Sequence, residues 1–125
     1  MNKKATLAEI IAKKKQGDMD RLQVKYYSSE ILGMDIEVRK IPLSQYLELA
    51  EEVEDGAIGA MNKMIYECCP MFRENTKEAM EVYEVSTPAD LPSAILEDQL
   101  NEINGIIEII NSFYGIDKLD VEIKN

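Results

Sequence analysis

The 125-residue chain contains no histidine. This removes the side chain that most often serves as a general base near neutral pH or as an imidazole metal ligand. Only two cysteines occur, adjacent at Cys68 and Cys69. Neighbouring cysteines bridge only with strain, and two thiols are too few for a disulfide-stapled secreted domain or a structural zinc site. A reducing, cytoplasmic setting is expected. No long apolar run is present either. The richest stretch, Ile103 to Tyr114, is broken by Asn104, Gly105, Glu108, Asn111 and Ser112, whereas a membrane helix needs ~20 apolar residues in succession. Lys3 and Lys4 lead into a short amphipathic segment, not an apolar signal core, so neither a span nor a secretory signal is expected. A phosphate-binding loop is missing as well: Gly56 and Gly59 frame only Ala57 and Ile58, without the flanking lysine. Internal repeats and low-complexity segments are absent from the sequence.

Basic charge is scarce, with 14 Lys and Arg against 24 Asp and Glu, a net charge of -10. Residues 1–25 hold seven basic and three acidic side chains and the rest hold seven and twenty-one, so the head is +4 and the body -14. Such a body repels phosphate backbones and anionic lipid, which argues against nucleic-acid and membrane partners. Basic or apolar proteins fit it better, although solubility alone also accounts for the acidity.

What is present suits one globular domain. Apolar residues make up 46% of the chain and are spread along its whole length, and the size supports a single core. Thr6-Leu7-Ala8-Glu9 has the form of a capping box. It predicts a helix over about 7–16, with Leu7, Ile10 and Ile11 on one face and Lys13, Lys14 and Lys15 in the last turn, where the helix dipole favours them. The lysine run also suits an acidic partner or nucleic acid, although the dipole alone accounts for its position. The period then becomes two: Leu22, Val24 and Tyr26 alternate with polar residues, as do Met34, Ile36 and Val38, which predicts a β-hairpin over about 20–41.

Pro42 opens a helix with Leu43, Tyr46, Leu47, Ala50 and Val53 at helical spacing and Glu48, Glu51, Glu52 and Glu54 outward. Ile58, Met61, Ile65 and Cys68 mark another helix, ended by Pro70. Between Met71 and Ser86 helix and strand signals mix, and Thr87-Pro88-Ala89-Asp90 reads as a capped helical turn. Leu96, Leu100, Ile103, Ile107, Ile110 and Tyr114 recur by fours and threes and predict a long amphipathic helix. A second row of Ile106, Ile109 and Phe113 makes its apolar face wider than a surface helix needs. Residues 116–125 read as a tail or weak edge strand. The expected fold is α+β: one mostly helical domain over 1–125, with an N-terminal hairpin and four to six helices.

Candidate chemistry is thin. Cys68 and Cys69 form either a reactive vicinal pair or core packing, and Glu67 beside them raises rather than lowers a thiol pKa. The glutamates of the second helix fall on its solvated face. Met61, Met64, Met71 and Met80 cluster around Phe72, which suits an irregular core or a groove for apolar segments. No catalytic, cofactor or metal site is expected, and the chain is expected not to be an enzyme. Met64, Met71, Phe72, Ile106, Ile109 and Phe113 are the candidate partner-binding or self-association residues.

Four segments carry a resemblance. They are Thr6-Leu7-Ala8-Glu9-Ile10-Ile11-Ala12-Lys13-Lys14-Lys15, Arg39-Lys40-Ile41-Pro42-Leu43 with Tyr46-Leu47, Met64-Ile65-Tyr66-Glu67-Cys68-Cys69-Pro70-Met71-Phe72, and Ile110-Asn111-Ser112-Phe113-Tyr114-Gly115-Ile116-Asp117. In this order the chain resembles the tail assembly chaperones of long-tailed bacteriophages, of the kind found in contractile-tailed defective prophages. The resemblance implies a protein of the host cytoplasm that binds the aggregation-prone tape measure protein until tube subunits polymerise, and that is absent from the virion. It also implies a longer frameshifted form that contacts the tail tube protein. It transfers no catalytic or contact residues. Two other classes compete: a small acidic phage-encoded antitoxin or inhibitor of a host protein, and a structural tail component.

Overall fold

The computed structural model describes residues 4–15, 24–54 and 57–116. Its first element is helix α1 (Leu7–Lys15), where the Thr6 hydroxyl accepts the Glu9 amide at 3.4 Å, half of the predicted capping box. Strands β1 (Val24–Ser29) and β2 (Met34–Arg39) follow as an antiparallel hairpin with Tyr27 opposite Ile36 and Lys25 opposite Val38. Then come α2 (Leu43–Glu54), α3 (Ile58–Cys68), a 3-10 turn (Pro70–Arg73), α4 (Thr76–Tyr83), a second 3-10 turn (Pro88–Asp90), α5 (Leu91–Ile95) and α6 (Leu100–Ser112). The fold is α+β as expected: a hairpin set among helices. Residues 20–23 of the expected hairpin, Gly17 and Asp55-Gly56, which read as helix stops in the sequence, and the tail from residue 117 lie outside the described residues.

Two-stranded ribbons are marginal alone, and this one is held by packing its inner face on α6 and on the turn at Pro70–Arg73. Ile36 and Val38 are fully buried on that face. The hairpin register therefore turns Lys25, Tyr27 and Ser29 inward and leaves Tyr26 60% exposed. This reverses the expected phase of β1. Val24 and Tyr26 were the alternating apolar set in the sequence, but strand faces repeat every two residues and β2 decides which set is covered.

Helix α3 is central, packing on α2, α5 and α6. Its Met64, Ile65 and Cys68 are buried, while Ile58, expected on that face, is 47% exposed at the helix start. On α2 the covered side chains are Tyr46 and Leu49, and the predicted face rotates so that Leu43 and Leu47 stand in solvent. Pro70 ends α3, and Arg73 Nη1 donates to the carbonyls of Tyr66 and Glu67 at 3.1 and 2.6 Å, satisfying acceptors the last helical turn leaves open.

The ambiguous stretch after Met71 is helical over α4, bounded by left-handed Asn75 and Glu84, with φ of 47° and 55°. The helix expected from Leu96 to Tyr114 is shorter at both ends: α6 runs Leu100–Ser112, and Leu96 instead caps the separate α5. Glu97 and Asp98 both adopt left-handed conformations and separate α5 from α6. Leu96 is buried in the core, whereas Leu100 is 58% exposed. Their four-residue spacing mimics a continuous helix without being one. Among the described residues no helix is long and apolar enough to cross a membrane.

Candidate functional site

The six candidate contact residues divide by burial. Met64, Phe72 and Ile106 are 1% exposed or less and fill the core, so they present no surface to a partner. Met71, Ile109 and Phe113 pack against that core but are only partly covered. Phe113 lies beneath Lys25, whose Nζ is 5.0 Å from the ring centroid and donates to Ser112 Oγ at 2.7 Å. The second isoleucine row of α6 is thus used mainly inside the molecule. It broadens the core contact because hairpin and α3 both lie on this helix.

The accessible apolar surface lies elsewhere. Leu7, Leu43, Leu47, Val82 and Leu100 each keep more than half of their surface in solvent. None of these was a candidate on sequence grounds. Helical spacing places a residue on a face but does not say whether a neighbouring element covers that face.

The sequence reading also missed a buried carboxylate. Glu102 is 1% exposed. It accepts the Tyr27 hydroxyl at 2.5 Å, the Ser29 hydroxyl, and the backbone amides of Glu30 and Ile31. Burial pushes its pKa up, but the hydrogen bonds from Ser29, Tyr27 and the two amides outweigh that and hold it below the usual carboxylate range. Burial and the Glu102 carboxylate push the Tyr27 phenol up to about 12, so it remains a donor. One turn on, Gly105 lets the Tyr27 ring cross α6, since a Cβ there would lie 2.5 Å from Tyr27 Cε1. Two anomalies in the sequence carried this signal. Glu102 occupies the apolar row that continues through Ile106, Ile109 and Phe113, and a glycine sits mid-helix where it costs about 1 kcal/mol against alanine.

At the other end of α6, Tyr114 stacks on Tyr46 with ring centroids 3.8 Å apart. Its hydroxyl donates to the Ile41 carbonyl at 2.7 Å and accepts the Ile41 amide at 3.0 Å. Tyr46 in turn donates to Asn111 Oδ1 at 2.6 Å. These contacts lock the junction between β2 and α2 against α6. Glu102 and Tyr114 together pin both ends of the hairpin to one helix.

Cys68 and Cys69 are both fully buried. Burial, with Glu67 adding to it, pushes the Cys68 thiol up to about 12 against the opposing pull of Arg73, and Cys69 is raised as well. Both are core-packing groups kept in the thiol form. An open depression of about 480 Å³ is lined by Asn62, Ser93, Ser86, Glu84, Asp90 and Asp98, among others. Its Ser93 hydroxyl donates to Asn62 Oδ1 at 2.5 Å, and an amide oxygen cannot take up that proton to activate the serine. Among the described residues no group of three or more His, Cys, Asp or Glu could hold a metal ion. The chain matches no family model, no curated protein and no solved structure.

Proposed function

We propose that this chain is a binding protein of phage tail assembly, a chaperone that holds the tape measure protein until tail tube subunits enclose it. The observation that carries the reading is the distribution of apolar surface. Large side chains such as Leu7, Leu47, Val82 and Leu100 stand in solvent on helices, on a body whose acid excess keeps it dispersed. A long apolar helical client needs this combination: apolar side chains to cover its hydrophobic faces, and net charge to keep the complex soluble. The four segments that resemble tail assembly chaperones give the client its identity, and the host cytoplasm is the corresponding location.

Co-expression with the tape measure protein of the same tail gene cluster tests the proposal. The tape measure protein is expected to become soluble and to co-purify with the chain. Val82→Asp and Leu100→Asp, both on exposed positions, are expected to reduce that capture while leaving the circular dichroism spectrum unchanged. A tape measure protein that stays insoluble beside abundant soluble chain overturns the reading.

A further inference from the structure

Two helices carry the same stripe with opposite charge. On α1, Leu7 and Ile11 lie one turn apart and Lys15 follows at the same interval, with Ile10 beside them. On α2, Leu43 and Leu47 lie one turn apart and Glu51 follows at the same interval, with Glu54 close behind on that side. The exposures match the pattern: Leu7 is 71% exposed, Leu43 57% and Leu47 56%, and no residue of α1 is buried. Each stripe is apolar in its first half and charged in its second.

We propose that α1 of one copy docks, in parallel, along the Leu43, Leu47 and Glu51 stripe of α2 in a second copy, and that the reciprocal contact closes a two-fold dimer. Aligning the two N-termini sets Leu7 against Leu43, Ile11 against Leu47 and Lys15 against Glu51. An antiparallel arrangement sets lysine against leucine. The charge asymmetry of the chain, a head of +4 on a body of -14, favours the same pairing at longer range.

The occupant follows from the arithmetic of the faces. A nine-residue helix is marginal in water unless its apolar side is covered. Within the single chain both stripes stay in solvent. Every copy brings one α1 and one α2, so mutual exchange satisfies both stripes in both copies and leaves no open end for further growth. Two such helix contacts bury on the order of 1,200–1,600 Å², within the range of specific interfaces.

Sedimentation velocity of the full chain alone, over a wide concentration range, tests this separately from capture of the tape measure protein. The wild type is expected to be a dimer. Ile11→Asp is expected to abolish the dimer and, because α1 is marginal once uncovered, to lose at most the circular dichroism signal of that one short helix, with the rest of the spectrum unchanged. Lys15→Glu and Glu51→Lys are each expected to raise the dimer dissociation constant about tenfold, because each reversal is felt at both symmetric contacts. The two reversals combined are expected to restore the wild-type value. A chain that remains monomeric throughout overturns the proposal. Limited proteolysis then tells whether α1 has folded back on its own body, where it is protected, or stands free for a different partner. A dimer indifferent to Ile11→Asp overturns it equally.

Discussion

Helices α1 and α6 invite comparison because both carry isoleucine rows flanked by charge, yet they end in opposite environments. Ile103, Ile106 and Ile110 of α6 are 1% exposed or less, whereas Ile10 and Ile11 of α1 remain 46% and 45% exposed. The difference does not lie in the apolar residues themselves. It lies in what else each helix offers. α6 supplies Glu102 to receive hydroxyl and amide donors from the hairpin, Gly105 to admit the Tyr27 ring, and leads into Tyr114, which grips Ile41. α1 offers apolar side chains and lysines, and none of its residues is buried. Apolar surface drives association without direction, and polar and steric keys decide which surfaces meet.

Substitutions can break that comparison at either end. The largest effect is expected for Ile106→Asp, which places a carboxylate in the closed core and should cost about 4–5 kcal/mol. Urea denaturation should find little or no folded protein. A variant that folds normally would mean that the α6 row is not core.

Next is the acid limb of stability. Glu102 is ionised more readily in the folded chain than in the unfolded one. Its contribution is therefore fully present above the unfolded glutamate value of ~4.3 and is lost as pH falls from there through the lower folded value. Glu102→Gln is expected to lower stability at neutral pH by about 2 kcal/mol and to flatten the fall in stability below pH ~4.3. Equilibrium unfolding at stepped pH reads both, and parallel acid limbs in the two proteins would remove Glu102 from this role.

Gly105→Ala is expected to cost about 1–2 kcal/mol, because the collision with Tyr27 exceeds the ~1 kcal/mol gained in helix propensity. In a Tyr27→Ala background the same change should become neutral or stabilising. A double-mutant cycle measures that reversal of sign, and a cost unchanged by loss of the tyrosine would show that the ring is not the obstacle. The smallest effect belongs to α1, where Leu7→Asp should move the unfolding free energy of the monomeric chain by no more than about 0.5 kcal/mol. A large loss there would mean that α1 belongs to the core after all.

Much of the architecture was legible in local pattern. The Thr6 cap, the hairpin, the helix starts at Pro42 and Pro88 and the stop at Pro70 all rest on backbone chemistry that acts within a few residues. The errors arose where distant partners decide. Tyr26 and Tyr27 stand side by side, so either phase of β1 offers an aromatic face, and only pairing with buried Ile36 and Val38 selects Tyr27. Leu96 and Leu100 have helical spacing, but the chain turns through Glu97 and Asp98, with the Asp98 amide bonded to the Ser93 carbonyl at 2.8 Å. For the candidate contact residues, an over-wide apolar face indicated more burial than a surface helix has, yet not whether a partner or the hairpin supplies the cover. Glu102 and Gly105 pointed to the hairpin, since a carboxylate and a gap in an apolar row need a specific neighbour.

The Tyr114 grip on Ile41 joins residues 73 positions apart in the chain. Synthesis proceeds from the N-terminus at ~5–20 residues per second, so the ribosome releases the hairpin several seconds before the helix that secures it. During that interval the two strands have no α6 beneath them, and a lone ribbon of this size barely holds together. Emergence of Asn111 and Tyr114 is therefore the event that sets the hairpin in place, which makes the nascent protein most vulnerable to proteases and to misassociation just before α6 and Tyr114 appear.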